Sequence, residues 1–236
     1  MTWDWSTVVD VFPHIFEAMW TTLGLTIVCF TVALIVGGIW TFLKRVKFKP
    51  FNWLISFIIE FIRSTPPLVQ LYFLFFAWPL IPYVGVTLEP FTVAVFGLGI
   101  HFSTYISEIY RSGIEGVPKG QIEAATALNY TTFQKWTKVI LPQAIPPVIP
   151  MLGNYLIIMF KEIPLTIVVG VAGMLTAAEV YGVNNFEYLE PYTLVAFFFL
   201  AMSYPSALFV QWLERKLNKR HESDNKKSTK KGVTTS

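Results

Sequence analysis

AMWTTLGLTIVCFTVALIVGGIWTFL, residues 18–43, runs without a single charged side chain and is followed at once by Lys44, Arg45, Lys47 and Lys49. The hydrocarbon core of a bilayer, about 30 Å thick, takes roughly 20 apolar residues in a helix. The stretch is long enough to cross, and its basic end marks where the chain leaves the lipid. Similar stretches recur at Trp53 to Leu80, Phe91 to Tyr110, Ile145 to Met174 and Tyr192 to Leu213. With the first they make about five spans by length. The expected fold class is all-α, a polytopic membrane protein. Composition agrees, because 54% of the residues are hydrophobic, only 14% are charged, and the mean hydropathy is +0.53. That balance excludes an ordinary water-soluble domain.

The second stretch is interrupted by Pro66 and Pro67. Two readings stand. Either one span runs from Trp53 to Leu80, or Phe51 to Ile62 is an interfacial helix and the crossing begins at Pro66.

Lys and Arg sort almost completely by side. Lys44 to Lys49 follow the first span, Arg111, Lys119, Lys135 and Lys138 separate the third from the fourth, and the tail from Arg215 is basic. The N-terminus, the Pro79 to Pro90 loop and the Gly170 to Pro191 loop hold none, but carry Asp4, Asp10, Glu17, Glu89, Glu179, Glu187 and Glu190. Positive charge is retained in the cytoplasm, so the expected topology is N-terminus outside and C-terminus inside. The first residues lack a basic start, so the first apolar segment is expected to stay in the mature protein. Residues 1–213 form the membrane domain. Residues 214–236 mix charge with Ser, Thr, Asn and Gly, and read as a disordered cytoplasmic tail. Contact with anionic lipid is one use open to it.

Several chemistries find no support in the residues. Cys29 is the single cysteine, and His14, His101 and His221 match no zinc-ligand spacing. No Gly-Lys pair occurs, so the phosphate-cradling GxxxxGK[ST] loop is absent and any ATP chemistry belongs to a partner. An intramembrane hydrolase needs a Ser/His or paired Asp constellation at one depth, yet Asp4 and Asp10 lie outside the spans. A stand-alone secondary transporter or channel is the other rival, but five spans do not divide into inverted repeats. Five spans suggest half of a pathway, to be completed by a copy of the chain or by a related second chain.

The cytoplasmic loop of residues 111–142 is built unlike a passive connector. Val117 to Gln121 makes a turn, Ile122 to Leu128 has helix propensity, and Asn129 breaks the run. Thr131 or Thr132 caps a second short helix, which Pro142 is expected to end. The loop reads either as two docking helices or as a membrane-surface connector. Glu123-Ala124-Ala125-Thr126-Ala127-Leu128-Asn129, followed by Ile140-Leu141-Pro142, resembles the shared loop motif of the permease subunits of ABC importers. That motif reads EAA, a spacer, Gly, a second spacer and Ile-x-Leu-Pro. Asn129 stands where the family usually has Gly, and a left-handed turn suits both.

The resemblance extends from Ile62 to Pro205. Arg63 to Leu71, Glu108 to Arg111, Val117 to Gln121 and Leu141 to Ala144 resemble the polar amino-acid branch. Asn154 to Leu156, Met159 to Glu162 and Tyr188 to Pro191 look most like its ectoine and hydroxyectoine permeases. The resemblance implies a transport subunit without catalytic residues or a cofactor of its own, in the bacterial plasma or inner membrane. ATP and Mg would be held by a cytoplasmic ATPase dimer docked on the loop. Its other partners would be a second permease, an extracellular solute-binding protein, a small polar solute and membrane lipid, but no nucleic acid.

Ionisable groups at bilayer depth need a partner or a cavity. Asn154, Lys161 and Glu162 are candidates for the solute path, with Lys161 drawing a carboxylate and Glu162 a cation. An ion pair that fixes helix packing is the equal alternative. Glu60, Arg63, Ser64, Pro67 and Gln70 fall on one helical face, and so do His101, Thr104 and Glu108. These stripes line either the pore or a subunit interface. Gly37, Gly38, Gly97 and Gly99 are expected to permit close helix contact.

Overall fold

The computed structural model describes residues 3–233, with side chains from 3 to 217. Nine α-helices follow in order among these residues: α1 Trp5–Leu43, α2 Lys49–Ser64, α3 Pro67–Tyr72, α4 Pro90–Glu115, α5 Lys119–Ala127, α6 Thr132–Lys135, α7 Leu141–Glu162, α8 Met174–Asn185 and α9 Leu189–Val233. Short π and 3-10 turns join several of them, and no strand occurs among the described residues. Contacts divide the chain into two units, one of residues 1–108 and 156–204, the other of 109–155 and 205–236.

In the first unit α1 is the spine. Asp4 caps it by accepting the Ser6 N–H at 2.8 Å, and that bond holds the Asp4 carboxyl below its ordinary pKa. At 1.5 Å per residue α1 is about 58 Å long, roughly twice the thickness of a hydrocarbon core. Its N-terminal part packs on α8, where Val11 and Ile15 meet Met174, Ala178, Phe160 and Val195 in one buried cluster. Its C-terminal part packs on α4 through reciprocal notches. A Cβ on Gly37 would meet Ile106 Cγ2 at 2.8 Å, and one on Gly99 would meet Val32 Cγ1 at 2.9 Å. Trp40 Nε1 donates to Ser103 at 3.0 Å, Thr41 to the Ser107 carbonyl at 3.2 Å, and Lys44 pairs with Glu108 at 2.9 Å.

Three helical runs, Trp5–Leu43, Thr132–Val169 and Leu189–Leu217, are long and apolar enough to cross a membrane, and a fourth if Lys49–Ser64 and Pro67–Leu80, bent by 101°, are counted as one. The expected third span is α4, and its composition sets it apart. It buries His101, Ser103, Thr104 and Ser107 beside Val93, Leu98 and Ile106. A helix walled by its own chain tolerates hydroxyls that a lipid-facing helix does not, because each one bonds back to a carbonyl. Ser103, Thr104 and Ser107 donate to the carbonyls of Ile100, His101 and Thr104 at 2.6, 2.7 and 2.7 Å.

The second stretch takes the broken form, because Pro66 and Pro67 hold Thr65 and Pro66 extended between α2 and α3. Its polar stripe is broken with it: Glu60, Arg63 and Ser64 stay on α2, and Gln70 lies beyond the bend.

The second unit gathers Val117, Ile140 and Ala144 into a small core with Ile114, Ile122 and Trp136. Gly113 seats against Val148 and Ala144, and Gly153 against Val210. Pro142 does not end the helix before it. The residues Trp136–Ile140 form a π turn, and Pro142 follows inside α7. The wider turn takes up the register change that a proline ring imposes. The tail, read from sequence as disordered, is helical in its backbone as far as Val233. Glu, Arg, Lys and Leu favour helix there, and the first Gly is Gly232. Side chains beyond residue 217 lie outside the described residues.

Gly37→Val is expected to destabilise the α1–α4 contact by about 1–3 kcal/mol through overpacking. Gly24→Ala, where an added Cβ meets nothing within 4 Å, leaves it unchanged. Thermal melting of the detergent-purified complex separates the two.

Candidate functional site

The helix–turn–helix of residues 119–135 is assembled by local rules. α5 ends at Ala127 with Leu128 as its C-cap, and Asn129 takes φ 58. The Asn129 N–H bonds the Thr126 carbonyl and the Tyr130 N–H the Ala125 carbonyl, each at 3.0 Å. That pair is a Schellman ending, which needs a residue tolerant of the left-handed region at the position of Asn129. Thr131 then opens α6 with a reciprocal capping box: it accepts the Gln134 N–H at 3.2 Å, while its own N–H donates to Gln134 Oε1 at 2.9 Å.

Within this frame Ala125 is buried and anchors α5, while Glu123, Ala124, Ala127 and Asn129 are exposed. Leu128 is 69% exposed and Phe133 76% exposed. Two large apolar side chains thus flank the turn in the open, next to a glutamate. Ile140 is buried in the core beneath, with Leu141 and Pro142 exposed beside it. Among the described residues no group of three His, Cys, Asp or Glu is placed to hold a metal.

The polar residues within the candidate spans fall into distinct environments. Gln70 Nε2 lies 2.7 Å from the Ile62 carbonyl, 3.1 Å from the Thr65 carbonyl and 2.6 Å from Thr65 Oγ1. It also stands 3.2 Å from His101 Nδ1 on α4. One amide therefore serves the carbonyls that the break exposes and ties the bend to the neighbouring helix. His101 is buried in that contact. Arg63 pairs with Glu60 on the exposed face of α2. Glu108 pairs with Lys44, each side chain 25% exposed.

Asn154 and Lys161 are exposed, and Glu162 is half-buried, on α7. Asn154 belongs to the second unit and Lys161 and Glu162 to the first. Helical geometry ends at Glu162, and Pro164 lies in the 3-10 segment Ile163–Val169 that follows. Among the described residues neither Lys161 nor Glu162 has an ion-pair or hydrogen-bond partner.

Two features escaped the sequence reading. A groove of about 570 Å³ separates α1 from α8, lined by His14, Glu17 and Thr21 from one and by Tyr181, Asn184 and Asn185 from the other. Its residues are scattered over the chain, though the spacing of His14, Glu17 and Thr21 marks one helical face. The carboxylates of the Gly170 to Pro191 loop also have internal work: Glu187 accepts from Thr7 Oγ1 at 2.7 Å, and buried Glu190 accepts the Asp4 N–H at 2.9 Å.

Among the described residues the chain is all-helical, with three or four runs long and apolar enough to cross a membrane and a capped, apolar-tipped helix–turn–helix. Residues 31–219 match the family described as binding-protein-dependent transport system inner membrane component, and the chain belongs to that family. It is similar to a probable amino-acid ABC transporter permease protein, y4tG, of Sinorhizobium fredii, 37% identical over 93% of this chain and 96% of that one. The glutamine transport system permease protein GlnP of Escherichia coli is 32% identical over 92% and 99% of the two chains. A crystal structure of an amino acid ABC transporter with histidines aligns at a TM-score of 0.85 and 33% identity, covering 92% of this chain and 100% of that one. The MetNI methionine transporter, at 21% identity and a TM-score of 0.67, shares the fold. The chain is a multi-pass inner-membrane component of an ABC transporter, a transport subunit without enzymatic activity, whose family works with an ATPase and a binding protein.

Asn129→Gly is expected to leave stability within about 0.5 kcal/mol, whereas Asn129→Val, forced into the left-handed region, costs about 1–2 kcal/mol. Melting of the purified complex, with its ATPase rate measured beside it, reads both.

Proposed function

We propose that this chain is the conduit of an importer for a small polar or zwitterionic solute, delivered by an extracellular binding protein and driven by ATP and Mg on a cytoplasmic ATPase dimer. The observation that carries the reading is the exposed pair Leu128 and Phe133 beside Glu123. A connector resting on its own protein would bury such side chains, whereas a docking element keeps them for its partner. Five spans complete the picture: α1, the broken α2–α3 pair, α4, α7 and α9, with the N-terminus outside and the C-terminus in the cytoplasm. The sorting of Lys and Arg supports that orientation. A second permease, identical or related, supplies the other half of the path.

Lys161 and Glu162 lack partners within the described chain, which supports a role toward the solute or the second permease. Asn154 stands in the same line of residues on α7. The exposed Glu60–Arg63 pair is offered to the subunit interface. Gln70, His101 and Glu108 serve internal packing that holds the path's wall. Polar amino acids are the first cargo class, since the relatives named above are amino-acid permeases. Ectoine and hydroxyectoine are the finer alternative, resting on Asn154 to Leu156, Met159 to Glu162 and Tyr188 to Pro191.

Leu128→Ser with Phe133→Ser is expected to weaken copurification of the ATPase by about tenfold or more, because each removes a large apolar contact from a docking face. Full retention of the ATPase removes the docking assignment. Cargo is decided by competition: the reconstituted complex takes up labelled solute with ATP, and polar amino acids are set against ectoines. Lys161→Met is expected to raise the solute concentration for half-maximal uptake in a normally assembled complex, and unchanged uptake rules out its direct role.

A further inference from the structure

The turn from α1 into α2 brings Lys44, Arg45, Lys47 and Lys49 together, and no Asp or Glu occurs between residues 41 and 59. These four cations, with Asn52 and Ser56, line a groove of about 560 Å³. The groove has a fixed frame. Asn52 Nδ2 donates to the Lys44 carbonyl at 2.6 Å, and Ser56 Oγ to Asn52 Oδ1 at 3.4 Å. Lys44 Nζ is turned toward Glu108. Lys47 and Lys49 are exposed and have no partner among the described residues.

The helix that continues from this turn has two faces. Ile55 and Ile59 are buried against the protein, while Trp53, Phe57 and Phe61 are 71%, 56% and 61% exposed. The three rings stack at intervals of four residues, with centroids 6.0 and 6.5 Å apart. An exposed aromatic ladder that begins beside a basic groove offers an apolar strip to acyl chains and cations to a headgroup.

We propose that the α1–α2 elbow is a binding site for an anionic phospholipid, with its phosphate in the groove at Arg45, Lys47 and Lys49 and its acyl chains along Trp53, Phe57 and Phe61. Charge complementarity selects the anionic headgroup. The adjoining ladder selects a lipid over a soluble phosphate or an acidic protein surface, neither of which would cover three exposed rings. The site stands whichever solute is carried, and needs only that α1 end at the bilayer surface.

The test uses the complete purified transporter, exposed to micelles of phosphatidylglycerol and phosphatidylcholine with identical acyl chains and examined by native mass spectrometry. Wild type is expected to retain phosphatidylglycerol over phosphatidylcholine by about tenfold or more. Arg45→Gln, Lys47→Gln and Lys49→Gln together reduce that ratio to about two, while Lys47→Arg with Lys49→Arg preserves it. Single Lys47→Gln lies in an exposed turn and gives an intermediate ratio if the triple variant fails to assemble. Equal retention of both lipids by wild type overturns the proposal, as does an unchanged preference in the triple and single variants. Displacement by millimolar inorganic phosphate overturns it in favour of a simple phosphate site. Loss of the ATPase from the variants with lipid preference intact overturns it in favour of an acidic protein surface.

Discussion

A backbone carbonyl deprived of its helical donor inside a bilayer finds no water to replace it, and the protein has to supply the donor from its own side chains. The double proline after α2 creates that need. Gln70, one turn beyond the bend, meets it by bringing a single amide nitrogen within hydrogen-bond reach of the Ile62 and Thr65 carbonyls and of His101. The bend is thereby usable, α4 gains a polar neighbour for its one histidine, and the aromatic face of α2 is free to lie away from the following segment. The same rule runs through α1 and α4, whose hydroxyls return to carbonyls three or four residues back. Among the described residues no buried side-chain nitrogen or oxygen is left without a partner.

The helix–turn–helix of the second unit is stiff for a different reason. Its corners are closed by two local motifs, the Schellman ending at Asn129 and the capping box at Thr131, and its underside is held by Ile140 and Ala144. On the docking proposed above, such stiffness would let the loop pass on movement rather than absorb it. The exposed Leu128 and Phe133 are held at the tip of this fixed frame.

Much of this was legible from residue order because its causes are local. Apolar runs give spans, Pro66 and Pro67 give the break, Asn129 gives the turn, and Thr131 or Thr132 gives the cap, which the structure assigns to Thr131 with Gln134 as its reciprocal partner. α4, expected as the third span, differs from the other long runs in a polar content that reflects walls contributed by distant segments. The helical-face stripe through Gln70 failed because a face is defined only along a straight axis, and the 101° bend ends it. Pro142 misled because a π turn before it absorbed the change of register. The groove beside His14 and Glu17 was out of reach, since one of its walls comes from α8, far along the chain. Lys44 was read as a topological charge and is also an ion-pair partner, a pairing that no spacing announces.

Glu187 and Glu190 reach back to Thr7 and Asp4 across separations of 180 and 186 residues. During synthesis the first helix leaves the ribosome long before these carboxylates exist, so its N-terminal end waits incomplete while the intervening segments are made. The surroundings of that end are completed only by segments made late in the chain. A chain that stops short of Glu187 holds a beginning it has no means to finish.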